Sequence, residues 1–89
     1  MNTQIRLLSN ASNYAVVQLE ERHFPGVVFQ GDSLHILVQD VTEIEALFQN
    51  ESREELGECI HNLRQNLVAI KARYEAVCKA HHIALPYSE

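Results

Sequence analysis

Apolar residues change their spacing once along this chain, near residue 31. Before that point they alternate with polar residues, and after it they recur every three or four positions. Within residues 3–9, Ile5 and Leu7 alternate with Gln4 and Arg6, the period of two of a strand with one covered face. Asn10, Ala11, Ser12 and Asn13 form a turn cluster, because Asn and Ser side chains bond nearby backbone and Asn tolerates positive φ. Residues 14–19 alternate again, with Ala15, Val17 and Leu19 on one face. After the polar loop 20–23, residues 27–30 supply a third strand of β-branched and aromatic character. Pro25 lacks an amide proton and belongs at that strand's start or on an open edge. Gly26 and Gly31 are expected to let the chain turn on either side. The pattern predicts an antiparallel meander of three strands, too small to be stable uncovered.

The helical spacing begins where Asp32 or Ser33 can cap a first helix over 32–49. Its stripe is Leu34, Leu37, Val38, Val41, Ile44 and Phe48. Residues 34–38 are apolar at four of five positions and would suit a strand as well, but the stripe continues for four turns, which favours helix. Asn50 and Glu51 interrupt it. Ser52 and Glu55 then fit a capping box. Leu56, Ile60, Leu63, Leu67, Ile70, Tyr74 and Val77 follow at alternating spacings of four and three, a heptad seam predicting a long helix over 52–81. Gly57 weakens its first turns by up to about 1 kcal/mol relative to Ala. In the tail, 82–89, Ile83, Leu85 and Tyr87 alternate and should fold back onto the body. The expected fold class is α+β in one domain: a three-stranded antiparallel meander (1–31) followed by a two-helix hairpin with a long C-terminal helix.

Helix length raises the question of assembly. Thirty helical residues span about 45 Å, whereas the first helix covers only about 25 Å of that. The far half of the seam, Leu67, Ile70, Tyr74 and Val77, needs another cover. Residues 40–58 hold seven acids and one Arg, while residues 59–79 hold four bases and one Glu. Two long helices set antiparallel would oppose these halves, which predicts a homodimer through that seam.

Composition narrows the function classes. Forty-six per cent of the 89 residues are apolar, ordinary for one small globular domain. A net charge of −5 argues against a phosphate-binding surface, so nucleic acid is not an expected partner. No apolar run approaches the roughly 20 residues that span a bilayer, and the first residues lack signal-peptide features. No membrane association and a cytoplasmic location are therefore expected. Cys59 and Cys78 lie nineteen residues apart on one predicted helix, about 28 Å, and cannot form a disulfide with each other.

Four constellations carry candidate chemistry. Gly31-Asp32-Ser33-Leu34 resembles the signature of a serine esterase and lipase family. That mechanism needs a separate base oriented by an acid, and the only Asp-x-x-His here, Asp32 to His35, overlaps the serine itself. The chain is also too short for the doubly wound domain of that family, so the motif reads as a helix cap. Cys78 and His82, at i and i+4 beside His81, share a helix face but fall short of the four ligands of a structural zinc site. No metal, other cofactor or catalytic residue is assigned, and the chain is read as a non-enzyme. His23, Phe24 and His35 flank the strand-to-helix junction and form a candidate small-molecule pocket between sheet and helices. The acids Glu43, Glu45, Glu51, Glu54, Glu55 and Glu58 crowd the corner between the helices, with Phe48 as a neighbouring apolar anchor. Glu54 and Glu55 suit the positive end of the second helix. The remaining acids either solvate a face or steer a basic protein partner.

Residues 7–19, Leu7-Leu8-Ser9-Asn10-Ala11-Ser12-Asn13-Tyr14-Ala15-Val16-Val17-Gln18-Leu19, resemble a family of small bacterial proteins. Phe24-Pro25-Gly26-Val27-Val28, Gln30-Gly31-Asp32-Ser33-Leu34 and the closing Leu85-Pro86-Tyr87 are similar to it as well. The resemblance implies a bacterial origin and, since that family has no assigned activity, no mechanism. In size and charge the chain is similar to immunity proteins that neutralise secreted toxins. The expectation is a non-enzymatic protein-binding module, with an immunity-like inhibitor of a basic toxin or effector as its sharpest form. The alternative is a small-molecule binding or sensing domain.

Overall fold

The computed structural model describes residues 4–88. Thr3 of the first predicted strand and Glu89 of the tail lie outside them. The chain is an α+β protein: strands β1 (Ile5–Leu7), β2 (Val16–Leu19) and β3 (Gly26–Val27), then helices α1 (Gly31–Gln49) and α2 (Arg53–Ala80). The strands form one antiparallel sheet in the order β1-β2-β3. Residues 34–38 are helical, as the four-turn stripe predicts. Contacts divide the chain into two compact units, Met1–Gln30 with Ile70–Glu89, and Gly31–Ala69. Helix α2 contributes residues 70–80 to the first and 53–69 to the second.

In the sheet unit, the register pairs Ile5 with Leu19, Leu7 with Val17 and Val16 with Val27. The Leu8 amide donates to the Val16 carbonyl at 2.9 Å, extending the ladder by one residue. Leu8, Val16 and Val27 therefore share the face that meets the helix, and the core closes on Leu8, Val16, Tyr74 and Cys78. Val16 and Cys78 are fully enclosed, at 0% exposure. This corrects the strand phase expected from sequence. Ile5, Leu7, Val17 and Leu19 do share one face, but it is the other one, and Ile5, Leu7 and Leu19 are exposed. Both faces of the sheet are apolar here, and the side on which residues 70–80 pack decides which is buried.

The third strand is shorter than expected and begins earlier, because Gly26 pairs with Val17 and only the Val28 amide continues the ladder, to the Ala15 carbonyl at 2.8 Å. Phe29 then leaves the sheet and sets its ring edge-on to Tyr14, centroids 5.2 Å apart. Tyr14, rather than either Asn, takes the positive φ of the β1–β2 connection. Ser9 braces that connection by accepting the Val16 amide at 2.8 Å. Neither Gly26 nor Gly31 adopts a positive φ, so neither supplies the turn expected of it. Gly31 is instead the first residue of α1, and Asp32 Oδ1 accepts the Ser33 amide at 2.8 Å, satisfying one free donor of the first turn.

Of the far half of the predicted seam, Ile70, Tyr74 and Val77 are covered within this unit, whereas Leu67 lies outside it and is exposed. Tyr74 is buried and its hydroxyl donates to the Pro25 carbonyl at 2.9 Å. Val77 packs against the core, and Ile83 and Leu85 of the tail close over it. His81 donates from Nε2 to the Leu8 carbonyl at 2.9 Å, which fixes the tautomer that carries its proton there. Lys71 Nζ sits 4.9 Å from the centre of the Tyr87 ring.

In the hairpin unit, Ser33, Leu37, Asp40, Ile44 and Leu47 form the less exposed seam of α1, spaced four and three apart. Leu56, Cys59 and Leu63 form that of α2. The expected α1 stripe thus splits. Leu37 and Ile44 turn inward, while Leu34, Val38, Val41 and Phe48 remain exposed. An apolar stripe wider than one helix contact cannot all face a single neighbour. Ile60 and Leu67 of α2 are left exposed for the same reason.

Both helices end alike. The Ser52 amide donates to Leu47 and the Glu51 amide to Phe48; the Ile83 amide donates to Cys78 and the His82 amide to Lys79. These are two Schellman ends, with Glu51 (φ 58°) and His82 (φ 57°) at the left-handed position where glycine is the usual choice. Ser52 precedes α2 as predicted, its carbonyl accepting the Leu56 amide at 2.9 Å, but its own amide goes to Leu47 rather than to Glu55, so the expected capping box gives way to the Schellman turn.

Candidate interaction surface

The acidic corner is built by the Schellman turn and the first turns of α2. Glu43 and Glu45 project from the last third of α1, Glu51 sits in the turn itself, and Glu54, Glu55 and Glu58 follow on α2. All six are exposed. Glu54 and Glu55 occupy the first turn of α2, where they complement its positive end. Phe48 is 70% exposed, and with Leu47, Glu51, Arg53 and Leu56 it lines a mainly apolar recess of about 350 Å³. The corner therefore combines carboxylates with an apolar anchor and a cavity, the three parts that a charge-steered docking surface uses.

A second recess, of about 210 Å³, opens between the two helices and is lined by Asp40, Glu43, Cys59, Asn62, Leu63 and Asn66. Burial, then the carboxylates of Glu43, Asp40, Glu55 and Glu58, push the Cys59 thiol above its ordinary pKa. A thiol held protonated in this way is a poor nucleophile. Sequence reasoning placed Cys59 on the helix but gave no sign that α1 would bring two acids to it.

The other predicted site residues fall as follows. Ser33 of the Gly31-Asp32-Ser33-Leu34 motif is buried in the first turn of α1. Its neighbour His35 is exposed two residues on, in the hairpin unit. His23 and Phe24 belong to the sheet unit, where their rings stack edge-on with centroids 4.6 Å apart. Of the predicted dimer seam, Tyr74 is buried, Ile70 and Val77 are half-buried, and Leu67 is exposed. Burial, followed by the hydrogen bond and charge of Cys78 and then Tyr87, pushes the Tyr74 hydroxyl up to about 12. Cys78, weighed above with His82 and set aside as a metal site, lies in the core. Among the described residues no group of three or more His, Cys, Asp or Glu is placed to hold a metal ion. Sequence reasoning also missed the broad concave surface of about 760 Å³ beside the tail, lined in part by Glu75, Lys79, His82 and Leu85. Among the described residues no helix is long and apolar enough to cross a membrane.

Residues 1–87 match the family of unknown function DUF6959, and the chain belongs to that family. No curated protein and no solved structure matches the chain.

Proposed function

We propose that the chain is a non-enzymatic protein-binding module whose acidic corner docks a basic surface, in its sharpest form as an immunity-like inhibitor of a basic toxin or effector. The observation that carries this reading is Phe48, the most exposed of the large apolar side chains among the described residues, which lines an apolar recess together with Glu51. Carboxylates alone would only solvate a face. An exposed aromatic anchor beside Glu51 gives a partner something to bury, and charge accelerates the encounter without supplying most of the affinity. The non-enzymatic part is supported by the state of the nucleophile candidates: Ser33 and Cys78 are buried, and the Cys59 thiol is held protonated.

The test is capture from the native host with identification of what is retained. A basic protein that binds the intact chain, and is lost when Glu51, Glu54 and Glu58 are reversed to Lys or when Phe48→Ala is introduced, is the expected result. Recovery of the chain alone, or a partner indifferent to both changes, overturns it. The small-molecule reading has the His23–Phe24 ring pair as its support. A thermal-shift screen separates the two, since a pocket ligand raises the melting temperature by mass action.

A further inference from the structure

We draw no further inference here: the strongest candidate, the apolar surface that the hairpin unit leaves exposed at Leu34, Val38 and Val41 of α1 and Ile60 and Leu67 of α2, carries none, because nothing in the structure shows what covers it.

Discussion

The two units of this chain spend their apolar residues in opposite ways. The sheet unit has two residues closed off from solvent, Val16 and Cys78, and it recruits Tyr74, Val77, Ile83 and Leu85 around them. The hairpin unit is as rich in Leu, Ile and Val, yet its only buried residue is a serine. The difference follows from how many layers each possesses. Three strands, the end of α2 and a returning tail can surround a small core. Two helices can only touch along one seam, so any stripe wider than that seam faces outward. A narrow core in one unit and an open stripe in the other therefore come from the same helix, α2, at two points along its length.

The largest expected effect is in the sheet unit. Val16→Asp buries an unpaired carboxylate at a position with no exposure and should cost several kcal/mol, enough to abolish a cooperative urea transition. If the transition survives nearly unchanged, the core is not where the enclosed residues place it.

Tyr74→Phe comes next. It strands the buried Pro25 carbonyl and should cost about 1–2 kcal/mol in a urea melt at neutral pH. The substitution also changes the pH profile. The folded state holds the Tyr74 hydroxyl protonated to about 12, against an ordinary value of 10. The unfolded chain thus ionises first, so the contribution is complete below pH 10 and is lost as pH rises from 10 to 12. Wild-type stability should fall across that window, and the Phe variant should lack this component of the fall.

The hairpin should answer with gains. An added methyl at Gly57 meets nothing within 4 Å, so Gly57→Ala should raise stability by up to about 1 kcal/mol through helix propensity. Glu51→Gly should raise it by a smaller margin, of order 0.5–1 kcal/mol, by relieving a left-handed non-glycine residue. Thermal melts of both variants check the sign. A loss in either would mean that the hairpin is more tightly determined than its exposed stripe implies.

Much of this fold was legible in the residues. The heptad of α2 and the interruption at Asn50-Glu51 give both helices to within about two residues, because helical period is local. Strand phase was not legible. Leu7-Leu8 and Ala15-Val16-Val17 are apolar at consecutive positions, so alternation alone cannot say which face a distant helix will choose. The acidic corner could be read directly, since exposed charge needs no tertiary information. Tyr74 shows the limit more clearly. Spacing revealed that it lies on an apolar stripe, but not that the sheet, rather than a second chain, covers it. The available signal was chemical: a buried Tyr hydroxyl needs an acceptor, and the carbonyl of Pro25, beside a strand end, was free to serve.

Glu51 draws these threads to one residue. Backbone geometry at the Schellman turn favours glycine there, and the chain carries a carboxylate instead, at the centre of the acidic corner. A designer seeking only a durable hairpin would choose differently. The position therefore works as a two-channel reporter. Replacing Glu51 by Gly moves melting temperature and corner charge in opposed directions, so a single substitution weighs what the turn wants against what its surface is for.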